Sequence, residues 1–223
     1  MFIRTLGSHL MRRNILRLGL VALVLAGALL AGSLLRTPPR AHASGGCGYL
    51  FTATATPANS LDGFTRLDNA CLDNTPGAIV IVTHNVNPGG SATVFLDNHP
   101  FGVFYSAPYW YIFHEDDTPI LPGDNFNVLW DKLAYDGGTY GVFVQAATSA
   151  NSFSDYTTID APSLDNQPNR RLLVTPNWNP GGAPGVYNNH PIGVFYDTYT
   201  GHWCIFNEDR APIQPGTFFN VKF

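Results

Sequence analysis

Basic residues are scarce in this 223-residue chain once its first 43 residues are set aside. Six of the twelve Lys and Arg lie in that leader and none of the sixteen Asp and Glu do, so the remainder carries six positive against sixteen negative charges. Nucleic acid and anionic membranes are bound by neutralising phosphates with Lys and Arg, so this balance excludes both as partners. Cysteine is equally sparse, with only Cys47, Cys71 and Cys204, no CxxC and no Cys/His cluster of zinc spacing. No segment after residue 44 carries a capped amphipathic helical pattern, and G-x-S-x-G, phosphate-loop, dinucleotide and HExxH motifs are all missing. What is plentiful is Gly, Pro, Asn, Thr and aromatics, the residues of strands and turns.

The leader reads as an export signal. Arg4, Arg12, Arg13 and Arg17 precede an apolar run from Leu18 to Leu35, and Ala41-His42-Ala43 comes next as a small-x-small cleavage site. Residues 1–43 are therefore expected to be a signal peptide, leaving a secreted or extracellular chain with no transmembrane domain. The alternative is an uncleaved anchor, because the run approaches the ~17–20 residues needed to cross a bilayer. In an oxidising compartment Cys47 and Cys71 are expected to pair, tying the short segment 44–50 to the body of the chain, while Cys204 in an aromatic stretch reads as a buried free thiol.

The rest of the chain is one module written twice. Phe51, Ala55, Thr56, Ala58, Asn59 and Ser60 recur 92 residues later as Phe143, Ala147, Thr148, Ala150, Asn151 and Ser152. Asn87-Pro88-Gly89-Gly90 recurs as Asn179-Pro180-Gly181-Gly182 at the same offset. Further on, His99-Pro100 and Gly102-Val103-Phe104-Tyr105 return as His190-Pro191 and Gly193-Val194-Phe195-Tyr196, and Trp110, Ile112-Phe113 and Glu115-Asp116 return as Trp203, Ile205-Phe206 and Glu208-Asp209. Ordered repetition of this length is duplication. It gives a first β-module over 51–130, a linker over 131–141 and a second module over 142–223. Five aromatic or β-branched strands are expected in each copy: 51–56, 78–85, 101–105, 109–114 and 125–130, then 143–148, 171–177, 192–196, 202–207 and 218–223. The fold class is all-β, two tandem antiparallel sandwich-like modules, with a small barrel, a trefoil-like fold or one pseudo-symmetric sandwich as alternatives.

The residues shared by both copies are the candidates for function. His99 and His190 each follow Asn, Asn98 or Asn189, and precede Pro, at the entry to a strand. They are read either as turn-closing residues or as a general base or ligand. Glu115-Asp116 and Glu208-Asp209 are neighbours in extended chain, so the two carboxylates of each pair point to opposite faces and make a poor acid/base couple. His114-Glu115-Asp116-Asp117 resembles a metal site in composition, but the second copy reads Asn207-Glu208-Asp209-Arg210. Structural calcium is the one cofactor the composition leaves open. Trp110 and Trp203 fit a core position or a platform that stacks on sugar rings, and the shared asparagines fit turns, buried amide brackets or a sugar site.

The ordered set from Leu173-Val174-Thr175-Pro176-Asn177-Trp178-Asn179-Pro180 through Tyr187-Asn188-Asn189-His190-Pro191 to Trp203-Cys204-Ile205-Phe206-Asn207-Glu208-Asp209 and Pro215-Gly216-Thr217-Phe218-Phe219-Asn220-Val221 resembles an uncharacterised family of exported bacterial repeat domains. The resemblance covers residues 51–223, once per copy, and departs in the first copy at Val86 and His114. It implies no activity, substrate or catalytic residue. The sequence thus leans away from an enzyme. It favours a duplicated binding module for a neutral glycan or a cell-surface component, with a structural envelope repeat protein as the alternative and a hydrolase using His190 and Glu208 third. Duplication favours binding because a linked second site raises avidity without new contacts.

Overall fold

The computed structural model describes residues 49–90, 96–132, 141–182 and 184–223. The expected signal segment, and with it Cys47, lies outside them. Cys71 is disulfide-bonded and Cys204 is a buried free thiol.

Each copy folds into seven strands in the same order. In the first these are β1 (Leu50–Thr54), β2 (Ser60–Leu61), β3 (Phe64–Arg66), β4 (Ala78–His84), β5 (Phe101–Ser106), β6 (Tyr109–His114) and β7 (Asn125–Lys132). In the second they are β8 (Val142–Ala146), β9 (Ser152–Phe153), β10 (Tyr156–Thr158), β11 (Leu173–Pro176), β12 (Ile192–Asp197), β13 (His202–Asn207) and β14 (Phe218–Lys222). The ten expected strands are all present, within a few residues at their ends. The four additional ones, β2, β3, β9 and β10, are two or three residues long, too short to express a period of two.

The strands pair into a three-stranded and a four-stranded sheet per copy: β1-β7-β4 with β2-β3-β6-β5, and β8-β14-β11 with β9-β10-β13-β12. Every pairing between these strands is antiparallel, and no sheet closes into a barrel. Register repeats as faithfully as topology, with Thr52 opposite Asn127 and Val144 opposite Asn220, and Val103 opposite Ile112 and Val194 opposite Ile205. Shared turn chemistry fixes it. Thr56 donates from its backbone N–H and Oγ1 to Asn59 Oδ1 at 2.7 and 2.9 Å, and Thr148 does the same to Asn151 at 2.7 and 3.0 Å. In the Asn-Pro-Gly-Gly turns, Gly89 and Gly181 both stand at φ 68°, a conformation that favours residues without a Cβ.

Each copy has its own core, around Val80, Trp110, Ile112, Phe126 and Val128 in one and Ile159, Leu164, Ile205, Phe219 and Val221 in the other. A third, smaller cluster joins them. Ile79 and Ile81 on the second face of β4 pack with Leu129 of β7 and with Val142 and Val144 of β8. That explains why Ala78–Val82 is a continuous apolar run rather than an alternating one, since β4 is buried on both faces. Both copies belong to one compact unit spanning Gly46–Phe223.

Candidate functional site

The pairing of β5 with β6 sets Phe101 opposite His114, which brings His99, two residues earlier, against Asp116, two residues later. His99 Nδ1 donates to Asp116 Oδ2 at 2.7 Å, and His190 Nδ1 donates to Asp209 Oδ2 at 2.7 Å. Both pairs are partly solvent-exposed. Burial works against the Asp116 charge, but hydrogen bonds from Thr118 and His99 outweigh it and hold the carboxyl at about 2. Asp209 is likewise lowered, by the backbone N–H of Ala211 and by His190. These carboxylates close a tight turn and bracket the imidazole at the same time. A third such pair, His202 with Asp165 at 2.9 Å, also joins loop to strand. No serine or cysteine is hydrogen-bonded to any of these histidines among the described residues, and Cys204 is buried with its thiol pushed up by desolvation. Nor do three His, Cys, Asp or Glu cluster to hold a metal there.

The neighbouring acid faces the other way, although Glu115 and Asp116 stand in the turn that follows β6 and not in the extended chain expected from the sequence. Glu115 is buried and accepts from the backbone N–H of Asn188, in the other copy, at 3.0 Å. Its counterpart Glu208 is exposed. Burial pushes the Glu115 carboxyl up to about 7, against the Asn188 N–H and with Asp117 adding to the rise. Between about pH 4.5 and 7 the folded chain therefore holds a proton that the unfolded chain has released, and stability declines across that window by about 3 kcal/mol. Glu115→Gln is expected to remove this decline, read from urea midpoints at pH 5 and pH 7.5; an unchanged pH slope would show that Glu115 is not its source.

The two tryptophans are anchors. Trp110 is fully buried and donates to the Thr75 carbonyl at 2.8 Å, and Trp203 packs on the second core and donates to the Gln167 carbonyl at 3.0 Å. Asn98 and Asn189, each next to its histidine in sequence, are exposed. One pair is not apparent from the motifs. His114 is enclosed with Asp97, its Nε2 donating to Asp97 Oδ2 at 2.8 Å and its Nδ1 to the Thr118 carbonyl at 3.0 Å. Nδ1 also meets the Thr118 hydroxyl at 2.9 Å, and burial, which opposes the imidazolium, is outweighed by the hydrogen bond and charge of Asp97 and by the Thr118 carbonyl, which raise the imidazole pKa. In the second copy the same two positions hold Asn188 and Asn207, which exchange amide hydrogen bonds at 2.8 and 3.2 Å. The paired change from Asp97/His114 to Asn188/Asn207 was the available signal.

The shared asparagines converge elsewhere, on the joint between the copies. Asn177 Nδ2 donates to Asn220 Oδ1 at 2.8 Å, and Asn220 Nδ2 donates to the Val80 carbonyl at 2.9 Å. Thr175 Oγ1 accepts from Val82 N–H at 3.0 Å, so side chains of the second copy cap the free edge of β4. Asn179 brackets one residue of β5, accepting from Tyr105 N–H at 2.8 Å and donating to Tyr105 C=O at 2.7 Å. Trp178 N–H donates to Val103 C=O at 2.9 Å. The rings match this seating, Trp178 edge-on to Phe104 and Tyr187 edge-on to Phe113. The segment Asn177–Asn188 of the second copy thus occupies the β5–β6 face of the first.

The same face on the second copy is open among the described residues. Tyr156, Phe195 and Phe206, with Asp155 and Arg210 at the rim, line an open depression of about 340 Å³. Phe195 is exposed there, and the exposed Phe153 packs against Tyr156.

Fold and site together define a tandem all-β repeat protein in which one copy's loop is seated on the other copy's sheet. Residues 43–130 and again 132–223 match the family described as a domain of unknown function (DUF7452), and the chain belongs to that family. No curated protein and no solved structure matches it.

Proposed function

We propose that the chain is a non-catalytic binding module pair acting outside the cytoplasm, and that its binding surface is the aromatic face formed by Tyr156, Phe195 and Phe206 on β10, β12 and β13. The observation that carries this reading is the first copy, where the equivalent face, Phe64, Phe104 and Phe113, is filled by a polypeptide loop that brings Trp178 and Tyr187 against it. A surface built to take an aromatic loop in one copy and left open in the other is an unfilled site of the same type. The catalytic reading lacks support, because the shared polar residues are mostly engaged in turns, brackets and the joint between copies.

Asp155 and Arg210 at the rim of the same depression support a second reading, a neutral glycan stacked on the rings with its hydroxyls bonded to the charged groups. One experiment separates the two. A synthetic peptide spanning Thr175–Asn189 and a panel of neutral oligosaccharides are titrated against the protein by NMR. The peptide is expected to bind saturably, at about millimolar affinity or tighter, with shifts centred on Tyr156, Phe195 and Phe206 that vanish in Phe195→Ser. Shifts from a sugar alone would transfer the site to the glycan reading, and no response to either would remove the face as a binding surface.

A further inference from the structure

We infer that the seat of the second copy's loop on the first copy is a proton-controlled contact, which closes as Glu115 takes up a proton and loosens as that proton is lost. The inference stands apart from whatever the open face of the second copy binds.

The two copies supply the comparison. Glu115 and Glu208 leave their strands in the same way, each donating its backbone N–H to a proline carbonyl, Pro100 or Pro191, at 2.8 Å. Each carboxyl then lies over a glycine of the adjacent strand. A Cβ on Gly102 would stand 2.5 Å from Glu115 Oε1, and one on Gly193 would stand 3.1 Å from Glu208 Oε1. Local structure therefore sets both acids in one position, and what differs is the cover. Asn188 of the second copy donates its backbone N–H to Glu115 Oε2 at 3.0 Å and Glu115 is 6% exposed, while Glu208 is exposed. The burial of Glu115 is thus a property of the contact between copies. Glu208 stands in the surroundings to which the Glu115 carboxyl returns when that contact parts.

The enclosed carboxyl is poorly provided for as an anion. A carboxylate presents about four acceptor sites, and among the described residues its side chain receives one hydrogen bond, from the Asn188 N–H. No Lys, Arg or His is paired with it there. β5 and β6 present Gly102 and Phe113 to it, and Asp117 on its own turn repels its charge. Tyr187 on the loop keeps a neutral phenol, pushed up by burial and then by Asp117 and Glu115. The charged neighbours in the chain are engaged elsewhere, His114 with Asp97 and Asp116 with His99. Excluding water over such a group favours its neutral form, in keeping with a carboxyl pushed up by burial from 4.5 to about 7.

The closed seat therefore binds the proton more tightly than the open one. It is at full strength below about pH 4.5, loosens as pH rises, and is weakest above about pH 7. The groups that hold the loop's other end are neutral: Trp178 N–H on the Val103 carbonyl and the Asn179 amide on Tyr105. So are Thr175 on Val82 and Asn220 on Val80. Proton loss weakens the contact at one end, beside Asn188, and leaves the other end in place.

The test is amide hydrogen exchange by NMR on the intact protein at pH 5 and pH 7.5, with each rate corrected for the intrinsic pH dependence of exchange. Protection of the Asn188 amide is expected to fall at least about tenfold between the two. It is also expected to be lower than that of Val82 at both and unmoved by low urea, the mark of a local opening. Glu115→Gln is expected to remove the pH dependence, and Glu208→Gln to leave it unchanged. In the unmodified protein the Glu115 carboxyl carbon is expected to titrate with a midpoint near 7, together with the Asn188 amide shift. A Glu115 carboxyl that titrates at its ordinary value would overturn the inference. So would a pH dependence at Asn188 that survives Glu115→Gln, or Asn188 and Val82 amides that exchange together with the same response to urea, because the contact would then open only on unfolding.

Discussion

Replacing Asn220 with alanine is expected to destabilise the protein by about 3–5 kcal/mol, while the same change at the equivalent Asn127 is expected to cost less than about 1 kcal/mol. Asn220 is fully buried, and its amide links Asn177 to the Val80 carbonyl on the edge of β4. Truncation strands a donor on Asn177 and an acceptor on Val80 in a space closed to water, at about 1–3 kcal/mol for each, and removes packing at the joint between the copies. Asn127 makes the same bond to Asn85, but solvent replaces whatever the mutation removes. Urea unfolding followed by tryptophan fluorescence measures both. Equal losses at the two positions would mean that the amide works within its own copy and not across the joint.

The buried pair His114–Asp97 carries the second large effect. Removing either partner alone, by His114→Asn or Asp97→Asn, leaves one enclosed charge without its counter-charge and is expected to cost about 3–5 kcal/mol. Making both changes rebuilds the amide pair that Asn188 and Asn207 form in the second copy, and is expected to recover most of that loss. Recovery measured in a double-mutant cycle would be a coupling of at least about 2 kcal/mol. If the double variant lost the sum of the two single losses, the positions would not be interchangeable between copies.

The pair also sets a pH window. Burial opposes the His114 charge, but the hydrogen bond and charge of Asp97, with the Thr118 carbonyl, outweigh it and raise the imidazole pKa. Burial opposes the Asp97 charge too, and the bonds from His114 and the His99 N–H lower its pKa. The raised histidine contributes stability that is full below its unfolded value near 6.5 and is lost as pH rises through its folded value. The lowered aspartate contributes stability that is full above its unfolded value near 3.8 and is lost as pH falls through its folded value. The pair is therefore most stabilising between about pH 4 and 6.5. The double variant is expected to lose this pH dependence and to keep that of Glu115, which separates the two groups.

Much of the framework is legible in the chain itself. Duplication with a constant offset gives two modules, and alternating aromatic and β-branched segments between Gly, Pro and Asn give their strands. Asn-Pro-Gly-Gly gives its left-handed turn because only a residue without a Cβ sits comfortably at Gly89 and Gly181. The differences between copies are as informative as the identities. Ile79 against Arg171 marks which copy's edge is covered, and Asp97/His114 against Asn188/Asn207 marks one enclosed pair.

The tertiary structure alone decided which equivalent residues are buried. Sequence treats Asn127 and Asn220, or Glu115 and Glu208, as the same residue written twice, and local bonding largely agrees. Whether a group is desolvated depends on what is packed over it, and the second copy's loop covers the β5–β6 face of the first while the β12–β13 face of the second is open among the described residues. Local sequence therefore determined the module and its turns, because dihedral preference and side-chain alternation act within a few residues. The asymmetry that gives one copy a filled face and the other an open one arises from packing between segments 73 to 140 residues apart, where the free energy lies in excluding water from a particular surface and no local pattern records it.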